Sequence, residues 1–186
     1  MSEFDDWIGR SITASDTLDP ARCNALDIAL GGAGGLQIGD PMPLLDHWLH
    51  FWDMKPPSEL GTDGHPAKGG FLPPVRLPRR MWAGGRLRYS ALTMNGHRIH
   101  YDRPYAIEEE YYPGLVVHGP LQAKLMIRLA VAHLGDTITE FDFRGQQPAF
   151  DGLPLHICGN PGDRDAELWT QQGEAKNMVA SVRTDR

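Results

Sequence analysis

The chain has 186 residues, with 24 acidic and 18 basic side chains and a formal net charge of -6. This length suits one domain or two small ones. The acidic balance argues against nonspecific binding of nucleic acid, which requires a basic surface. A small anionic ligand is still compatible with it, because such a ligand needs only a local basic patch.

Cysteine usage and hydropathy indicate a cytoplasmic protein that makes no membrane contact. Cys23 and Cys158 are too few for a disulfide scaffold or a zinc cluster, which suggests a reducing compartment. The apolar runs are shorter than the roughly 18 residues of a membrane span. The opening MSEFDDW lacks the basic and apolar regions of a signal peptide.

The first predicted element is a helix that begins at Asp19-Pro20, with aspartate as the cap and proline at the first helical position. The glycine cluster at 31–35 ends it. Residues 41–53 are dense in large apolar side chains and are predicted to dock on a sheet. His47 and His50 are three apart, but metal ligation needs a third ligand nearby, and no metal site is predicted.

Residues 54–80 are rich in proline and glycine, so regular structure is not expected there. This segment ends in a local basic cluster formed by Arg76, Arg79 and Arg80. Arginine binds phosphate through two parallel hydrogen bonds, so a phosphate contact is one interpretation. A solvated loop face is the other.

A helix followed by strands is predicted for the rest of the chain. The helix has Pro120 at its first position and Gly135 just past its end, and Leu121, Leu125, Leu129 and Ala132 define one apolar face, with Met126 and Leu134 near it. Four runs, ITEFDFRGQQPAF, LPLHICG, AELWTQQ and NMVASVR, alternate apolar and polar residues between turns. Successive hairpins after one long helix predict an α+β fold, an antiparallel sheet wrapped around that helix.

Residues 93–102, TMNGHRIHYD, together with the His118-Gly119 pair that opens the helix, carry a resemblance to a known family. They resemble the signature of hotdog-fold, MaoC-type acyl-CoA hydratases and dehydratases. The most similar branch contains mesaconyl-C4-CoA (3-methylfumaryl-CoA) hydratases and FAS1-like acyl dehydratases. The runs at 70–74 and 79–85 also resemble that branch. The resemblance implies a hydro-lyase that adds water to, or removes it from, an acyl-CoA thioester.

The resemblance also assigns roles to residues. His100 takes the place of the catalytic histidine, and Gly119 that of the residue whose N–H polarises the thioester carbonyl. Asn95 stands where many members have aspartate, and an amide can position water but cannot take its proton. Asp102 either orients a neighbour or is a structural carboxylate. Further substrate contacts are expected from His97, Arg98, Tyr89, His118, Arg80 and Trp82, with Trp48 or Trp52 as an alternative lining of the acyl pocket.

Family members carry a much longer segment after the position of Leu87. Residues 1–87 are therefore expected to form an incomplete N-terminal hotdog-like segment, and residues 88–186 a C-terminal hotdog domain. Because family members pair two hotdogs, we expect a homodimer. No cofactor is expected, since CoA is part of the substrate.

Two alternative functions stay open from the sequence. A hotdog thioesterase usually uses a carboxylate on or beside the central helix, where this chain has Gln122 and Lys124 and no acidic residue before Asp136. The second alternative is a non-catalytic acyl-CoA-binding or assembly partner, which Asn95 and the shortened N-terminal half suggest.

Overall fold

The computed structural model describes residues 4–71, 73–75, 84–87, 97–135 and 137–185. The chain divides into two compact units. The first comprises Met1–Arg80 and Ala91–His97, and the second comprises Met81–Ser90 and Arg98–Arg186. The boundary expected between residues 87 and 88 remains a prediction.

Among the described residues, the second unit contains an antiparallel sheet of five strands. Its strands are β1 (Gly84–Leu87), β2 (Ile138–Gly145), β3 (His156–Pro161), β4 (Asp165–Gln172) and β5 (Ala175–Thr184). They lie in the order β1-β2-β5-β4-β3, with every neighbouring pair antiparallel. A long helix, α2 (Gly119–Leu134), packs against β2, β3, β4 and β5. The α+β prediction of an antiparallel sheet around one long helix is confirmed.

The buried face of α2 differs from the predicted one. The residues that the helix buries include Ala123, Met126, Ile127 and Ala130, whereas Leu121, Leu125 and Leu129 are only half-buried and Ala132 is exposed. The prediction was wrong because apolar residues occupy nearly the whole circumference of this helix, so spacing alone does not select one face. The end of the helix is as predicted, since Gly135 adopts a φ of 82°. Its start at Gly119 lies one residue before the predicted one.

The strand pairing also differs from the predicted arrangement, in which each strand pairs with the next one in the chain. β3, β4 and β5 do follow one another as neighbours, but β2 pairs with β5 and not with β3. The connection between β2 and β3 crosses one end of the sheet, where Gln146 and Gln147 donate backbone hydrogen bonds to the carbonyl of Asn177. Pairing between distant strands depends on such connections, which local alternation of side chains does not reveal.

In the first unit, the predicted N-terminal helix is α1 (Pro20–Ala29), and the side chain of Asp19 accepts a hydrogen bond from the N–H of Ala21 as its cap. A 3₁₀ turn at Asp46–Leu49 packs against α1. The imidazole of the fully buried His50 accepts the N–H of Asp19 at 2.9 Å and so connects the two elements. Within the described parts of the chain, the helices are all too short or too polar to cross a bilayer.

A buried hydrogen bond joins α2 to β4 and provides a test of the fold. The hydroxyl of Thr170, which is 0% exposed, donates to the side-chain oxygen of Gln122 at 2.6 Å. We expect Thr170→Val to lower the free energy of unfolding by about 1–3 kcal/mol, because it leaves a buried acceptor without its donor.

Urea denaturation measures this effect, with Thr139→Val as the matched control, since the hydroxyl of Thr139 makes an exposed bond to the carbonyl of Arg183. Combining Thr170→Val with Gln122→Leu should restore much of the lost stability, because both polar partners are then removed. Equal losses at Thr170 and Thr139 would contradict the assignment.

Candidate active site

His100 is held by backbone groups of a segment distant in sequence. It ends a 3₁₀ turn at Arg98–His100 whose central residue, Ile99, is buried. The N–H of Val116 donates to the carbonyl of Ile99 at 3.0 Å, and Nδ1 of His100 lies 2.8 Å from the carbonyl oxygen of Val116. Because a carbonyl can only accept, Nδ1 carries the proton, and the lone pair of the neutral ring is on Nε2. This is the tautomer that a base acting through Nε2 requires.

The segment that holds His100 is itself fixed by the sheet. The N–H of Val117 donates to the carbonyl of Ala149 at 2.8 Å, and Val116 forms an antiparallel bridge with Phe150. The side chain of Gln172, at the end of β4, accepts from the N–H of Phe150 and donates to its carbonyl, at 2.8 and 2.7 Å. Hydrogen bonds, together with the peptide links between adjacent residues, therefore connect β4 to the segment that holds His100.

His100 lies beside the start of α2. Its ring packs against that of His118, with centroids 4.6 Å apart and planes at 88°. His118 occupies the N-cap position of α2, without a capping bond from its side chain, and Gly119 is the first helical residue. The first N–H groups of a helix have no partner within it and carry the positive end of its dipole. The structure thus brings His100 into contact with the residue directly before Gly119.

Gly119 is not required by packing. Among the described residues, a Cβ atom built at this position would meet only the terminal methyl of Met178, at 3.7 Å, which is an ordinary contact. The backbone therefore has no steric need for glycine here. A glycine at this position leaves the N–H open to close approach by a ligand oxygen.

Arg98 is committed to its own loop. Its guanidinium donates twice to one carboxylate oxygen of Asp102, at 3.0 and 2.6 Å, and its charged carbon lies 4.2 Å from the ring centroid of Tyr105. The other carboxylate oxygen accepts the N–H of Tyr105 at 3.2 Å. The Arg98 guanidinium and this N–H lower the pKa of Asp102 below its usual value, so the carboxylate is charged at neutral pH. Asp102 thus orients Arg98 and accepts a hydrogen bond from the first residue of the π-helical turn at Tyr105–Glu109.

The other candidate residues are placed elsewhere or lie outside the described residues. His97 belongs to the first unit, where its ring packs on that of His65 at 4.6 Å. Trp48 is buried in the same unit, while Trp52 is 44% exposed and lies under Arg22. The residues outside the described ranges are Asn95, Arg80, Trp82, Tyr89, Arg76 and Arg79.

Two features of the second unit have no signal in the sequence. The carbonyl of Val116 orients His100, but a main-chain acceptor is common to every residue type, so no motif announces it. A groove of about 420 Å³ also lies on the sheet, lined by Glu140, Asp142, Asp165, Glu167 and Arg183 among others. Four carboxylates against one guanidinium make this groove unsuitable for the phosphates of CoA.

Comparisons of this chain with a family model and with known proteins agree on one family. The family model described as hydroxyacyl-thioester dehydratase type 2 matches residues 45–88 and 86–151. A mesaconyl-C(4)-CoA hydratase from Chloroflexus aurantiacus is 32% identical over 250 aligned residues, covering 85% of this chain and 89% of that protein. The alignment is longer than this chain, and the family match breaks at residues 86–88. The break coincides with the shortening predicted after Leu87.

Other known proteins match parts of the chain. The mitochondrial hydroxyacyl-thioester dehydratase type 2 of Schizosaccharomyces pombe is 42% identical over 100 residues, covering 52% of this chain and 33% of that protein. A crystal structure of HtdX from Mycobacterium tuberculosis covers 60% of this chain and 48% of its own, at 20% identity and a TM-score of 0.43. With its two-part match over 45–151 and its full-length relative, this chain belongs to the hydroxyacyl-thioester dehydratase type 2 family, a group of acyl-thioester hydratases and dehydratases.

Proposed function

We propose that this protein catalyses the reversible addition of water to an enoyl-CoA thioester, as a hydro-lyase. The observation that carries the proposal is the contact between the ring of His100 and the helix start at His118-Gly119. Hydration of a double bond conjugated to a thioester needs a base for the water, a proton for the α-carbon and a donor at the thioester oxygen. These two neighbouring elements supply all three.

His100 performs the proton transfers in this proposal. Nε2 takes a proton from water as the oxygen adds to the β-carbon, and the protonated ring then gives a proton to the α-carbon. An imidazole with an unperturbed pKa of about 6.5 can act in both directions near neutral pH. The bond from Nδ1 to the Val116 carbonyl directs Nε2 as the reacting atom.

Gly119 stabilises the negative charge that develops on the thioester oxygen when water adds. Its N–H is a backbone donor at the positive end of α2, and such a donor is already oriented before the reaction begins. Asn95 would hold the attacking water by its amide, in the position that many family members give to aspartate. An amide cannot remove a proton, so the chemistry rests mainly on His100.

The relative that covers most of this chain suggests a substrate. A protein named mesaconyl-C(4)-CoA hydratase aligns over 85% of the chain, which makes a branched, dicarboxylic enoyl-CoA the first candidate. Dehydration of a hydroxyacyl thioester, the reaction in the family description, is the same chemistry in reverse.

A thioesterase is a weaker candidate on the described geometry. Such enzymes commonly use a carboxylate near the start of the central helix, and the first turn of α2 carries no acidic residue. The polar residue at that place is Gln122, whose oxygen is occupied by the buried hydroxyl of Thr170. An amide such as that of Gln122 cannot act as the nucleophile or base that hydrolysis needs.

A single assay separates hydration, thioester cleavage and simple binding. The purified chain is mixed with crotonyl-CoA and with mesaconyl-CoA, while loss of the conjugated double bond and release of free thiol are followed in parallel. We expect loss of the double bond without thiol release, because α2 offers donors but no carboxylate. Thiol release at the same rate would identify a thioesterase. Binding without either signal would identify a non-catalytic partner and would exclude the lyase proposal.

A further inference from the structure

Three side chains with metal-binding atoms converge in the first unit. They are Asp63, His65 and His97, and one potential ligand atom from each lies within 4.8 Å of the others. The two imidazole rings have centroids 4.6 Å apart and planes at 52°. Asp63 and His65 are two residues apart, but His97 comes from a different segment of the chain, so the cluster is produced by the fold.

A tight turn holds two of these residues in place. The N–H of Gly61 donates to the carbonyl of His65 at 2.7 Å, and the N–H of Gly64 donates back to the carbonyl of Gly61 at 3.0 Å. One carboxylate oxygen of Asp63 accepts the N–H of His65 at 3.1 Å, while the other lies 3.2 Å from Nδ1 of the same residue. The turn therefore presents a carboxylate and an imidazole in fixed positions, which lowers the entropy cost of ordering them around an ion.

The cluster is partly shielded from solvent but accessible. His97 is 5% exposed, and the side chains of His65 and Asp63 are 12% and 20% exposed. Nε2 of His65 is buried and makes no hydrogen bond to any residue in the described part of the chain. The hydrogen bond to Asp63 uses Nδ1 of His65 and so does not satisfy this buried nitrogen. A cation bound at Nε2 would give it a partner.

We infer that Asp63, His65 and His97 form a binding site for one divalent transition metal ion, with zinc as the expected ion. Two imidazoles and one carboxylate are a common zinc ligand set, and water completes a tetrahedron. With metal–ligand distances of about 2.0–2.2 Å, ligand atoms in a tetrahedron lie about 3.4 Å apart. Side-chain rotation closes the spacing of up to 4.8 Å to that value. Imidazole ligands select against magnesium and calcium, which prefer oxygen atoms.

The bound ion has a structural role in this inference. It would connect the turn at residues 61–65 to His97, three residues before His100 in the chain. Because the ion binds the folded site and only weakly the unfolded chain, it should raise the thermal stability of the protein. This inference does not depend on the proposed lyase activity, and its test uses no substrate.

The experiment uses the full chain without a histidine tag, treated with a chelator and then titrated with zinc chloride in a calorimeter. We expect about one zinc ion per chain, a higher unfolding temperature with zinc, and tetrahedral absorption bands when cobalt replaces zinc. Asp63→Asn and His97→Gln should each weaken zinc binding by about 10-fold or more. Asp63→Asn can still accept the N–H of His65, so the turn is preserved.

The matched controls are His133→Ala and His156→Ala, which remove exposed histidines outside the cluster. They should leave the stoichiometry and affinity unchanged. Circular dichroism of the metal-free variants shows whether each is folded, and the cobalt spectrum of the wild-type chain is informative even if one variant does not fold. Weak binding with no defined stoichiometry, octahedral cobalt bands, or equal affinity in the cluster variants would each overturn the inference.

Discussion

Replacing His100 by glutamine should lower the rate of enoyl-CoA hydration by about 10²- to 10⁴-fold, the usual contribution of a positioned acid–base group. Glutamine has an amide N–H that can still donate to the carbonyl of Val116, as Nδ1 does at 2.8 Å. It cannot take a proton from water. The substitution therefore removes proton transfer while preserving a group able to make the contact that orients the loop. Initial rates with crotonyl-CoA, measured over a range of pH, provide the comparison.

His156→Ala is the matched control for this change, because His156 is exposed at the start of β3 and its loss should not alter the rate. Thermal unfolding of both variants should resemble that of the wild-type chain. A folded His100→Gln variant that retains more than about a tenth of the wild-type rate would be far outside the range for an acid–base group and would exclude His100 from that role.

Gly119→Pro should reduce the same activity by about 10²- to 10³-fold, because it removes one backbone donor from the thioester oxygen. Two features of the position favour proline. The first residue of a helix does not use its N–H within the helix, and the preceding residue, His118, has a ψ of 125°, which is compatible with a following proline. The substitution thus deletes a single N–H at the start of α2.

Gly119→Ala is the control that separates loss of the N–H from loss of space at residue 119. Alanine keeps the N–H, and its Cβ would contact only the methyl of Met178 at 3.7 Å. We expect the alanine variant to be much more active than the proline variant, with similar unfolding temperatures for both. Equal losses in the two folded variants would show that the space at residue 119 matters and its donor does not.

Local sequence patterns were sufficient to predict the helices and strands but not how these elements pack and pair. The capping aspartate at Asp19 and the terminal glycine at Gly135 were correctly identified, since capping depends on residues adjacent in the chain. The buried face of α2 was misjudged because leucines and smaller apolar residues share its surface. The partner of β2 was misjudged because strand order depends on contacts between residues far apart in sequence.

At the candidate site too, the sequence predicted features that depend on local motifs and missed those that depend on residues far apart in the chain. The motif containing His100 and the His118-Gly119 pair predicted two elements that the fold places side by side. The tautomer of His100 could not be predicted, because it depends on a carbonyl 16 residues away. The convergence of His97 with His65 could not be predicted either, because the two residues are far apart in sequence, whereas His47 and His50 are close in sequence. The homodimer, the cytoplasmic location and the role of Asn95 stay predictions.

The carbonyl of Val116 has a consequence for turnover. It accepts a hydrogen bond from the Nδ1–H of His100 whether the ring is neutral or positively charged, so this hydrogen bond does not break when the ring changes its charge. The imidazole can therefore gain and release a proton at its opposite nitrogen without rotating between the two steps. A catalytic cycle of this kind needs little rearrangement of the loop that carries the ring, and water and acyl chain are the parts that must move.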